Sequence, residues 1–146
     1  EPMTKRGRGK LVGIASVSGI RGLPGSEAYG ASKSAVITYN ESLRVGLRKT
    51  GIKVQTISPG FVRTPLTSAN PYKMPFVLTP DEFAERAVKT IDSDASYRTI
   101  PWQMGLLAKA MRIAPNCLWD KIVANRKQKP RLADKQKAEA EAAQRK

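Results

Sequence analysis

Tyr29 and Lys33 stand four residues apart, and Ser16 precedes the tyrosine by thirteen. On a helix, residues spaced by four share one face, with Cβ atoms about 5–6 Å apart. An ordinary phenol, with a pKa of about 10, exchanges protons poorly at neutral pH. An ammonium beside it favours the phenolate, so the phenol can trade a proton with a substrate oxygen. Carbonyl reduction and alcohol oxidation both need that chemistry. Taken alone the pair is weak evidence, because such spacing occurs by chance on many surface helices. Its setting adds weight. Ser16 ends an apolar run, where a hydroxyl could bond the same substrate oxygen, and open α/β sheets seat ligands beyond the carboxyl ends of their strands. Ser18 is a rival in the same loop that the spacing favours less. A second turn, Pro59-Gly60-Phe61-Val62-Arg63-Thr64-Pro65, follows the next apolar segment and brings a third element to the same rim.

The elements that must hold these residues are legible as alternating patterns. Leu11 to Ala15 is a short apolar run closed by serine, as expected of a buried parallel strand. A loop rich in Gly, Pro and Ser follows, from Ser16 to Ser26. From Glu27 to Arg48 small and apolar residues recur at helical spacing (Ala28, Ala31, Ala35, Val36, Tyr39, Leu43, Leu47), and Gly51 is placed to stop that helix. Ile52 to Ile57 alternates as a second strand, ended by Ser58-Pro59-Gly60. Residues 62–78, with three prolines and no period, are expected to form a mobile loop. Thr79-Pro80-Asp81-Glu82 starts a helix reaching Ile91: Thr79 as N-cap, proline in the first turn, acids at the positive end of the dipole. Tyr97 to Pro101 is a third strand. Two short amphipathic helices, Met104 to Ile113 and Leu118 to Val123, are separated at Pro115. Strands alternating with helices predict an α/β fold with a parallel sheet. Three strands make a poor sheet alone, since both faces of a parallel sheet need cover and an open edge invites aggregation.

Taken together, Leu11 to Gly19, Gly22-Leu23-Pro24-Gly25, Tyr29 to Lys33 and Ser58 to Thr64 resemble the second half of the short-chain dehydrogenase/reductase family. The match is good over residues 7–66 and looser to Pro101. The resemblance implies the carboxyl-terminal part of a Rossmann-like, doubly wound parallel sheet, about three strands with flanking helices, over residues 1–125. It implies NAD(P)-dependent interconversion of an alcohol and a ketone or aldehyde, with NAD or NADP as cofactor. Ser16 would position the substrate carbonyl, Tyr29 would be the catalytic acid/base, and Lys33 would support it while bonding the nicotinamide ribose. Pro59 and Gly60 would shape the turn against the nicotinamide, Val62 would offer its backbone to the carboxamide, and Thr64 its hydroxyl to the carboxamide or a phosphate. Leu23 and Pro24 would line the substrate pocket or serve only as loop. Phe61, Met74, Phe76 and Val77 would form an apolar lid or only a mobile surface loop without specificity; as a lid they favour a lipophilic substrate such as a steroid, retinoid-like or fatty acyl compound. Homo-oligomers are expected of a full-length member. The family's Gly-rich phosphate loop, adenine-ribose acid, Asn-Ala-Gly strand and active-site asparagine have no counterpart in the 146 residues. This piece alone is therefore expected neither to bind NAD(P) tightly nor to turn over.

Composition closes other routes. With no histidine, neither a Ser-His-Asp nor a Cys-His nucleophile system can be built. One cysteine, Cys117, permits no intrachain disulfide and no multi-cysteine zinc site, and it is expected to be a small buried apolar residue. No secretory signal or apolar stretch of about 18 residues is present, so a cytoplasmic location is expected, with peripheral membrane contact as a variant. The net charge of +14 is concentrated in Lys5, Arg6, Arg8 and Lys10 and in residues 126–146. Those last residues, without aromatics for base stacking, are expected to be a solvated or disordered basic tail, not a specific nucleic-acid site. The rival function is a non-catalytic basic module that holds an acidic partner or an anionic membrane surface. Trp102, Trp119, Leu106, Leu107, Met111 and Ile113 are expected in the core or at subunit contacts, and Lys109 and Arg112 beside them also permit membrane-surface or partner-helix binding.

Overall fold

A computed structural model describes residues 2–68, 70 and 73–124; the basic tail from residue 126 lies outside them. Three strands form one parallel sheet in the order β1 (Gly9–Ile14), β2 (Ile52–Pro59), β3 (Tyr97–Ile100). The register sets Gly9 against Ile52, Ile14 against Ile57 and Pro59 against Ile100. The central strand is buried from Val54 to Ser58, because helices cover both of its faces. Alternation along β2 divides the chemistry of those faces. Ile57 packs with Leu78, Ala87 and Ile100 beneath helix α4 (Pro80–Asp92), with Val12, Phe83 and Ile91 around them. The opposite face belongs to helix α2 (Glu27–Gly46) and helix α5 (Trp102–Ile113). There Asn40 of α2 lies against Gly13, and Gly105 of α5 against the Thr99 side chain. Helices on both faces of a parallel sheet bear out the α/β pattern read from the alternation and make the doubly wound arrangement that the resemblance implies.

Several sequence expectations shift. Residues 2–6 form a short helix, α1 (Pro2–Arg6), with its proline at the first position, where no amide partner is lost. Helix α2 ends at Gly46, and Gly51, at φ +72°, serves the turn into β2 instead of the helix stop. Its sheet-facing stripe runs through Lys33, Val36, Ile37, Asn40 and Leu43, whereas Ala28, Ala31, Ala35 and Tyr39 are exposed. The fit of Asn40 on Gly13 sets that rotation. Residues 62–78 are not a featureless loop. They hold a one-turn helix, α3 (Pro65–Ser68), and a parallel bridge between Val62 and Leu78.

The predicted capping box at Thr79 is present, its side chain accepting from the Glu82 amide while the Glu82 carboxylate accepts from the Thr79 amide. At its other end α4 is capped from the sheet. Lys10 donates to the Ile91 and Ser93 carbonyls, and buried Gln55 to those of Thr90 and Ser93. After α5 the chain turns at Pro115 into helix α6 (Asn116–Val123). Cys117, expected inside, is exposed, because α6 turns Trp119 and Val123 inward and leaves the cysteine outside. Trp102, Leu106, Leu107 and Ile113 are likewise exposed, since Met104 and Ala108 are the side chains with which α5 meets the sheet.

Candidate active site

The carboxyl end of β1 delivers Ser16 in extended conformation, 6 % exposed, as the N-cap of a single 3₁₀ turn, Val17–Gly19. Its Oγ accepts from the Ser18 amide at 3.2 Å, and among the described residues its own proton has no acceptor. That leaves a fixed hydroxyl with a donor to spare. Ser18, the rival, is less buried and supplies the amide that orients Ser16.

Tyr29 enters from the first turn of α2. With Lys33 it continues the stripe that faces the sheet further along, so both project where the helix overhangs the end of β1. Lys33 Nζ donates to the Ile14 carbonyl, two residues before Ser16, at 3.3 Å and lies 5.7 Å from the centroid of the Tyr29 ring. A cation at that distance is held by the ring's electron-rich face. One hydrogen bond leaves the ammonium further donors for a ligand. Half of Tyr29's surface is exposed, and its hydroxyl has no partner among the described residues. The main chain of β1 thus ties Lys33, and through it Tyr29, to the strand that leads into Ser16.

β2 ends one strand over. Ser58 is fully buried and accepts from the Tyr97 hydroxyl at 2.8 Å. Pro59 passes the chain to Gly60, whose amide donates to the Ile100 carbonyl at 2.8 Å. A Cβ at Gly60 would come within 2.7 Å of the Met104 side chain, so the turn lies close against α5. Beyond it, Thr67 organises Val62 and Thr64. Thr67 Oγ1 donates to the Val62 carbonyl at 2.8 Å, accepts from the Thr64 amide at 2.9 Å and lies 3.3 Å from Thr64 Oγ1. Val62 is left with its N–H to offer, and the Thr64 hydroxyl is shared. Sequence reasoning passed over Thr67, although a threonine three residues after Thr64-Pro65 is a local capping signal.

Not every expected residue joins the rim. Leu23 lines a cavity of about 830 Å³ between the 18–26 loop, Gly30 and Ser34 of α2, and Trp119 of α6, a cavity that neither Ser16 nor Tyr29 lines. Of the expected lid, Phe61, Met74 and Val77 are half-buried and Phe76 is exposed, so its apolar surface is only partly presented. Sequence reasoning also missed Arg21. Its guanidinium donates to the Met111 and Ala114 carbonyls and to Asn116 Oδ1, and stacks 5.0 Å from the Trp119 ring centroid. Arg112 and Trp119 reach back to the Ile20 and Gly22 carbonyls. Three successive loop residues are thereby fastened to α5, α6 and the turn between them.

The short chain dehydrogenase family model matches residues 1–74, about half the chain. This protein belongs to that family. An uncharacterized oxidoreductase of Myxococcus xanthus is 42 % identical over 118 residues, 81 % of this chain and 47 % of that protein. A short-chain dehydrogenase from Burkholderia cenocepacia, solved in complex with NADP, superposes with a TM-score of 0.70 at 18 % identity, covering 84 % of this chain and 50 % of its own. A variant of the actinorhodin polyketide ketoreductase, solved with NADPH, gives a TM-score of 0.58 at 26 % identity over 70 % of this chain and 49 % of its own. The chain thus spans about half the length of the relatives it matches.

Proposed function

We propose that these residues form the proton-transfer half of an NAD(P)-dependent oxidoreductase that interconverts an alcohol with a ketone or aldehyde. The observation that carries the reading is the Tyr29–Lys33 pair, anchored to the Ile14 carbonyl beside a Ser16 whose hydroxyl proton is uncommitted. In the reduction direction Ser16 donates a hydrogen bond to the substrate carbonyl oxygen and holds it toward Tyr29. The phenol gives its proton to that oxygen as the carbon becomes an alcohol carbon. The Lys33 ammonium stabilises the phenolate left behind. Oxidation runs the same path in reverse.

A bound nicotinamide would supply or accept the hydride. The residues present suit its nicotinamide end: a tight turn at Pro59-Gly60 packed close on α5, the Val62 N–H, the Thr64 hydroxyl and the spare donors of Lys33. Structural relatives solved with NADP or NADPH support this choice of cofactor. The family's phosphate-binding glycine loop has no counterpart among the 146 residues, so we place the dinucleotide's other end on chain outside them. The partly exposed apolar group of Phe61, Met74, Phe76 and Val77 supports a lipophilic carbonyl or alcohol as substrate. We read full-length molecules as oligomers.

The test is Tyr29→Phe in the natural gene product that carries this sequence, assayed by NAD(P)H absorbance against a panel of carbonyl compounds. A loss of about 10²–10⁴-fold in turnover is expected, the usual contribution of a positioned proton donor. Turnover unchanged by the substitution would remove the reading.

A further inference from the structure

We propose that the outward side of α5 and α6 is an interfacial surface that seats on an anionic lipid bilayer. Both helices carry large apolar side chains outward as well as inward, whereas a surface helix usually keeps its apolar stripe on the inward side alone. On α5 the inward residues are Met104 and Ala108, while Trp102, Leu106 and Ile113 share the opposite side at helical spacing. On α6 Val123 is buried, and Leu118 and Ile122, four apart, face outward. These five side chains and Leu107 are between 42 % and 82 % exposed. Six large apolar side chains on two consecutive helices exceed the scattered exposure that is normal for a soluble surface.

Charge selects the occupant. Residues 97–124 carry Arg98, Lys109, Arg112 and Lys121 against one acid, Asp120. Lys109 sits within the α5 stripe itself, where a long side chain can lay its stem on apolar surface and hold its ammonium at the headgroups. Residues 125–146 add eight lysines and arginines against three acids. Apolar side chains bordered by cations and continued by a basic segment suit an anionic interface. A second copy is a poor occupant, because each chain would bring a net +3 from residues 97–124 and a net +5 from residues 125–146 to the contact. Among the described residues no helix is long and apolar enough to cross a membrane, so the contact is with the surface. Trp102 stands two residues beyond the end of β3, on the same rim as Ser16 and Gly60, which sets the lipid boundary beside the proposed active site.

The full chain, spun down with vesicles of phosphatidylcholine alone or mixed with phosphatidylserine, should bind the mixed vesicles and far less the neutral ones. Lipids brominated in their acyl chains should quench tryptophan emission, and Trp102→Phe should abolish most of that quenching. Leu106→Glu with Ile113→Glu should lower binding by about tenfold or more while leaving the thermal melt unchanged, since both side chains are exposed. Absence of binding to mixed vesicles would overturn the proposal. So would binding that the double variant leaves intact, which would assign it to the basic segment alone. A dimer that the same variant splits, with no vesicle binding, would give the surface to a second copy.

Discussion

Two lysines, each within hydrogen-bonding distance of main-chain carbonyls, occupy opposite ends of the sheet and do different things. Lys10, near the start of β1, is consumed by the end of α4, where it meets the Ile91 and Ser93 carbonyls. Lys33, over the end of β1, spends one hydrogen bond on Ile14 and faces the Tyr29 ring with donors left over. The closed end of the sheet also holds Gln55 on the same helix terminus and the Lys53–Asp94 ion pair. The open end holds the Ser16 and Tyr29 hydroxyls, which lack full sets of partners among the described residues. A polar group saturated by its own chain stabilises the fold; one left with capacity at a strand's carboxyl rim is available for chemistry.

Substituting each lysine separates the two roles. Lys33→Met should leave the melt nearly unchanged and lower turnover of the natural gene product by about 10- to 100-fold, the worth of one or two hydrogen bonds to a charged group. Steady-state kinetics beside a thermal melt would show it. Equal losses of stability and activity would make Lys33 a second Lys10. At the closed end, Lys10→Met should cost about 1–2 kcal/mol by removing the cap on Ile91. Combined with Gln55→Leu it should cost more than the two singly, because the Ser93 carbonyl then loses both side chains that cap it. Denaturant titration of the four species measures that coupling, and strict additivity would contradict it.

The smallest effect belongs to the far end of α4. Thr79→Ala should cost about 1 kcal/mol by removing the N-cap. The Thr79 amide, and then its hydroxyl, hold the Glu82 carboxyl below its ordinary value of 4.5. A carboxyl lowered by folding contributes stability above its unfolded pKa and loses it as pH falls through the folded value. Glu82→Gln should therefore destabilise at neutral pH and become silent in acid below the usual carboxylate range. Melts across that interval would record the convergence.

The fold was legible where composition and period agreed. The apolar runs at 11–15 and 52–57 became β1 and β2, and the Thr79-Pro80-Asp81-Glu82 signal became a capped helix. The rotation of α2 was not legible, because its alanines and Tyr39 trace an apolar stripe as regular as the one that packs, and the choice was made by Asn40 meeting Gly13 across the chain. α5 and α6 misled in the same way: amphipathic spacing shows that a helix has two sides without saying which faces the sheet. At the rim, Tyr29, Lys33 and Ser16 were readable from type and spacing. Thr67 hid behind the more prominent Thr64, and Arg21 was invisible because its partners lie 90 or more residues away.

That arginine has a consequence for how the molecule can be cut. With Ile20, Arg21 and Gly22 each clipped to residues between Met111 and Trp119, α5 and α6 act as a brace for the stretch joining the serine to the tyrosine. Removing α5 and α6 would release that stretch while leaving Ser16, Tyr29 and Lys33 themselves unaltered. Helices α5 and α6 are thus a support for the rim on which the proposed active site lies.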